Sequence, residues 1–99
     1  MTIKSGVSVV GIKPEMLIAL PIIDQCYQKV GVECVLTSGT EGTHGRGSLH
    51  YVGLAADFRT NTLKSDQKTR LLNLVSGALT GEYDVILEKT HLHCEFQPK

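Results

Sequence analysis

The sequence has no excess of either charge: ten Lys and Arg residues balance ten Asp and Glu residues over 99 positions. A chain without a basic stripe offers little to phosphate backbones or anionic headgroups, so neither nucleic acid nor membrane is the expected partner. No apolar run approaches the roughly 20 residues needed to cross a bilayer. The opening Met-Thr-Ile-Lys-Ser-Gly lacks the apolar core of a secretory signal. The chain is therefore expected to be made and kept in the cytoplasm unless another factor releases it. Cys-x-x-Cys spacing is missing too. Cys26, Cys34 and Cys94 are an odd set in a chain without a signal, so they read as reduced thiols packed in the core rather than as zinc ligands. No repeat, low-complexity stretch or interdomain linker divides the chain. With 41% hydrophobic and 20% charged residues, it is expected to fold as one globular domain over residues 1–99.

Hydrophobic periodicity predicts the elements. Residues 14–31 read as a helix, with Pro14 in the first turn and an apolar stripe of Met16, Ala19, Leu20, Ile23, Cys26, Tyr27 and Val30. Pro21 predicts a kink and Gly31 a stop. Residues 33–37 read as a strand, and residues 38–48 as a loop rich in glycine: Gly39, Gly42, Gly45 and Gly47. Residues 54–59 alternate, placing Leu54, Ala56 and Phe58 on one face and Ala55, Asp57 and Arg59 on the other. Ser65 is expected to cap a second helix that runs to about Leu79 and is ended by Gly81, with Leu71, Leu72, Val75 and Leu79 inward. Residues 83–87 and 91–96 are two further strands. In the last, Leu92, Cys94 and Phe96 face the core while His91, His93 and Glu95 face out. This order predicts an α+β domain, with a mainly antiparallel sheet and both helices packed on one of its faces.

Chemistry gathers on the other face. The four histidines fall in two regions, His44 and His50 in one and His91 and His93 in the other. Asp57, His91 and His93 are expected to leave the same face of the sheet. Imidazole and carboxylate suit zinc, and two histidines with one aspartate leave a position for a reacting water. The same residues could also be no more than the polar cover of a solvated sheet.

The string Ser48-Leu49-His50-Tyr51-Val52-Gly53-Leu54-Ala55-Ala56-Asp57 fits S-x-H-x-x-G-x-A-x-D at every fixed position, and His91-Leu92-His93 fits H-x-H. Together these resemble the LAS-type zinc metallopeptidases. That family includes D-Ala-D-Ala carboxypeptidases and dipeptidases and the L-alanyl-D-glutamate endopeptidases of phage endolysins, with Hedgehog domains as distant members. The resemblance runs from about Thr37 to Phe96. It implies a Hedgehog/DD-peptidase-like fold and zinc ligation by His50 and Asp57. It also implies that Gly53 turns the backbone so that these two converge, and that small Ala55 and Ala56 leave room beside the metal.

The third ligand has two registers. In one it is His93, because the H-x-H branch binds zinc through the second histidine. His91 then lies beside the metal, but the family's catalytic acid falls on Thr90, which cannot serve as a base. In the other, Glu88-Lys89-Thr90-His91 fits the E-x-x-H form, with Glu88 as base and His91 as ligand. The favoured set is His50, Asp57 and His93 for the metal, with Glu88 and His91 as the catalytic pair. Glu95 reads as a partner that orients a ligand histidine.

A second departure is upstream. Many relatives carry S-G-x-R, whereas Ser38-Gly39-Thr40-Glu41 places glutamate there. His44, Arg46 and Arg59 are the candidates to replace that arginine's positive donor. The resemblance thus implies a zinc peptidase acting on peptidoglycan peptides in phage lysis, prophage functions or wall remodelling, whether released to the wall through a holin, carried in a virion or kept as a cytoplasmic dipeptidase. A monomer is expected, though the sequence leaves oligomeric state open. The alternative is a zinc-holding module without turnover.

Overall fold

The structure is a computed structural model that describes residues 1–42 and 48–98. Its elements are β1 (Thr2–Ile3), α1 (Pro14–Val30), β2 (Val35–Ser38), β3 (Ala55–Arg59), α2 (Ser65–Ala78), β4 (Tyr83–Leu87) and β5 (His91–Phe96). The domain is α+β. The strands form one five-stranded mixed sheet in the order β1-β2-β3-β5-β4, parallel only where β1 meets β2. No helix among the described residues is long and apolar enough to cross a membrane.

Alternation in the strands creates the two faces. Ala56 and Phe58 of β3 and Leu92 and Cys94 of β5 join Met16, Ile23, Cys26 and Tyr27 of α1 and Leu71 and Val75 of α2 in one buried cluster. Both helices therefore cover the same side of the sheet. Two hydroxyls tie α1 to the strands: Tyr27 donates to the Arg59 carbonyl and Tyr83 to the Glu15 carbonyl, each at 2.7 Å. All three cysteines are buried free thiols. Burial pushes Cys34 and Cys94 up to about 12, which leaves them unreactive at neutral pH.

The structure departs from the sequence-based boundaries in several places. α1 itself begins at Pro14 as expected, runs through Pro21 to Val30 and is closed by the left-handed conformation of Gly31. β2 begins two residues later than expected and takes in Ser38. Lys64, not Ser65, caps α2, and its amide donates to the Gln67 side chain at 2.7 Å. α2 stops at Ala78, before Gly81 is reached. The short β1 has no counterpart in the sequence-based elements: a pair of exposed residues has too little pattern to read.

Gly53 holds the turn that leads into β3. Its φ is +80°, and a Cβ there would lie 2.2 Å from the Gly11 carbonyl oxygen. Lys13 donates its amide to the Gly53 carbonyl at 3.0 Å, so the two segments are fastened together at this point. Gly53→Ala is expected to destabilise the protein by more than the roughly 1–3 kcal/mol of the left-handed backbone alone, because the Gly11–Ile12 backbone must also retreat. Chemical denaturation should show this as a lower midpoint. An unchanged midpoint would mean that the turn relaxes freely.

Candidate metal centre

The β3–β5 register brings the polar residues together in rows. Ala55 pairs with Glu95, Asp57 with His93, and Arg59 with His91. Backbone bonds from Phe96 N to Leu54 O (2.9 Å) and from Thr60 N to Thr90 O (3.1 Å) make residues 54 and 60 hydrogen-bonded positions. Asp57 and His93 are then a non-hydrogen-bonded pair, the arrangement in which opposed side chains approach most closely. β4 extends each row: Asp84 pairs with Glu95 and Ile86 with His93, and Glu88 donates its amide to the His91 carbonyl at 2.8 Å.

His50 reaches the same place from the turn before β3. It is 4% exposed and therefore almost wholly buried for an ionisable side chain. Its Nδ1 lies 2.8 Å from the Gly39 carbonyl oxygen. A carbonyl only accepts, so Nδ1 carries a proton and Nε2 is the nitrogen turned to Asp57, 3.4 Å from Oδ2. His93 Nδ1 lies 2.7 Å from Asp57 Oδ1, and its Nε2 lies 2.7 Å from Glu95 Oε1. Gln97 in turn donates to the other Glu95 oxygen. Glu95 thus stands where the sequence calls for a partner orienting His93.

His50, Asp57 and His93 each offer one ligand atom, and these atoms lie within 4.8 Å of one another, a set that could hold a metal ion. His91 flanks this set, with its Nε2 3.8 Å from Asp57 Oδ1 and its Nδ1 3.3 Å from the Thr90 hydroxyl. Geometry therefore joins His93 to His50 and Asp57, with His91 alongside. Glu88 is exposed and Arg59 half-buried, on the row next to the cluster. His44 and Arg46 lie outside the described residues. Ala55 borders the cluster, but Ala56 belongs to the core on the opposite face, so only Ala55 leaves room beside a metal.

A bulge in β2 supplies what alternation could not show. Leu36 pairs with Phe58 but Ser38 pairs with Asp57, leaving Thr37 as the extra residue. Ser38 and Gly39 are thereby carried toward the cluster, and Gly39 is presented to His50. Glu41 turns its carboxylate into this same turn and accepts from Ser38 Oγ at 3.1 Å.

Electrostatics follow from the contacts. Burial opposes the charge on Asp57, but hydrogen bonds from His50 and His93 outweigh it and hold the carboxyl far below its ordinary range. The Asp57 hydrogen bond, working against burial and helped by Glu95, pushes His93 up to about 9. For His50, burial disfavours the charge, but Asp57 and the Gly39 carbonyl raise its pKa overall. No protein-family model matches the chain, and no curated protein matches it in sequence.

The raised His93 pKa gives a pH signature in chelated protein. An unfolded imidazole titrates near 6.5. The stabilisation from protonated His93 is then complete below that value and is lost as pH rises through about 9. Chelated protein should melt at lower temperature as pH climbs through this window, and the His93 ring signals should titrate near its top. An ordinary midpoint for His93 would contradict the two-carboxylate clamp.

Proposed function

We propose that this chain is a zinc-dependent peptidase of the LAS type, with the Hedgehog/DD-peptidase-like fold, hydrolysing peptide bonds in peptidoglycan. The observation that carries the reading is the convergence of His50 Nε2, Asp57 and His93 Nδ1 on the sheet face opposite the helices. The donor set fits zinc: two imidazoles and one carboxylate, with both imidazoles fixed by a further partner. His50 is held through Nδ1 by Gly39, and His93 through Nε2 by Glu95. Zinc bound there would supply a Lewis acid that polarises the scissile carbonyl and acidifies a water.

The remaining work belongs to the chain. Hydrolysis needs a group that takes a proton from the attacking water and returns one to the leaving amine. Thr90 cannot do this, since a hydroxyl is not a base near neutral pH. Glu88 and His91 can. They face each other across the β4–β5 hairpin, one strand repeat (about 6.8 Å) from the metal row. Arg59, opposite His91, is the described cation on this row that would meet a substrate oxygen. Ile86, 45% exposed and opposite His93, offers an apolar surface to a small alkyl side chain such as that of alanine.

The test is digestion of purified peptidoglycan, with new amino groups counted in zinc-loaded and chelated protein. Release that stops on chelation and returns with zinc is the expected result. A second reading, a zinc-holding module without turnover, is favoured by Thr90 and Glu41 standing where the family carries its acid and its arginine. Stoichiometric zinc with no release from any wall peptide would select it.

A further inference from the structure

Glu41 replaces the arginine that many LAS-type relatives carry, yet its side chain is firmly engaged. Oε1 accepts from the Gly39 amide at 2.7 Å and from the Ser8 amide at 3.1 Å, while Oε2 accepts from the Ser38 hydroxyl at 3.1 Å. The turn it grips is tightly packed. Ser8 O accepts from the Thr40 amide at 2.8 Å, and a Cβ on Gly39 would lie 2.2 Å from that same oxygen. The Gly39 residue is thus held at its amide by Glu41, while its carbonyl fixes His50 Nδ1 at 2.8 Å.

We propose that Glu41 is a positioning residue for the metal site, acting through Gly39 to hold His50 in the Nδ1–H tautomer with Nε2 turned to the metal. The inference rests on the zinc reading above but concerns a residue outside the ligand set. In this chain of bonds the effect of Glu41 passes to His50 through one backbone residue. The carboxylate links the N-terminal segment at Ser8 to the end of β2, so two stretches of chain distant in sequence meet behind one ligand. The arginine's place is thereby given to support of His50, and any cation facing the substrate must come from elsewhere.

Glu41→Ala, Glu41→Asp and Glu41→Gln separate this role from simple stability. Gln keeps an oxygen for the two amides and an NH2 for Ser38, so zinc affinity should stay within about threefold of wild type. Ala removes every acceptor and should weaken zinc about 10- to 100-fold, the usual range for a partner that orients a ligand. Asp is shorter by a methylene and should fall between them; it carries the test if the Ala variant does not fold. The second readout is ring-nitrogen NMR of His50, with and without zinc. Wild type should keep Nδ1 protonated in both states, with zinc on Nε2 when loaded, and Ala or Asp should lose part of the Nδ1 protonation in the metal-free protein, mixing the tautomers. Wild-type zinc affinity and an unchanged His50 tautomer in folded Ala or Asp protein would overturn the proposal. If wild type bound no zinc at all, the metal reading would fail, and the metal-free tautomer in the variants would still decide the role of Glu41.

Discussion

Asp57→Ala should leave a folded protein that no longer retains zinc. Asp57 stands at the centre of the cluster: Oδ2 faces His50 Nε2 at 3.4 Å and Oδ1 faces His93 Nδ1 at 2.7 Å. Without it, two imidazoles remain and the ligand set has no carboxylate. His50→Ala should act in the same way. Metal that binds only the native state adds about 4 kcal/mol when free zinc is 1,000-fold above its dissociation constant. For a domain of this size that corresponds to more than about 15 °C of melting temperature. Chelation should therefore lower the melting point of wild type strongly and leave that of Asp57→Ala unmoved. His93→Ala should lose zinc while His91→Ala keeps it. The reverse pattern would restore the register in which His91 is the ligand.

The second large effect concerns proton transfer. Glu88→Gln/His91→Ala should retain a full equivalent of zinc and lower kcat by about 10²- to 10⁴-fold, the contribution typical of a positioned acid–base group. Each single variant should show how the task is divided, because the two residues are joined across the hairpin by the Glu88 amide and the His91 carbonyl. Thr90 lies in the hairpin loop with its hydroxyl on His91 Nδ1, so Thr90→Asp would place a carboxylate beside that imidazole. It should raise activity if position 90 is merely a vacant base position, as the proposed LAS-type reading has it. Full zinc and full activity in the double variant would remove Glu88 and His91 from the mechanism.

Period-two patterning makes the two faces of β3 and β5 legible in the sequence. Phe58, Leu92 and Cys94 are in the core, while Asp57, His91 and His93 share the opposite face. The His50–Asp57 pair rests on motif resemblance rather than patterning, since nothing in local periodicity says that a turn residue will reach a strand residue. The rest depends on contacts between distant segments. The bulge at Thr37 shifts Ser38 onto the row of Asp57, and no propensity marks that slip. β1 is too short to announce itself and forms only because β2 offers it an edge. In the sequence Glu41 reads as a lost arginine; its partners, Ser8 and Gly39, become visible only where the N-terminal segment lies against the end of β2.

The most direct measurement is diffraction at the zinc absorption edge from crystals grown with one equivalent of zinc and a non-hydrolysable D-Ala-D-Ala or L-Ala-D-Glu analogue. The account predicts one anomalous peak about 2.0–2.2 Å from His50 Nε2, an Asp57 oxygen and His93 Nδ1. The analogue's scissile-group oxygen should complete the site, on the side of Glu88 and His91. A peak on other residues, or none at full zinc occupancy of the solution, would contradict it.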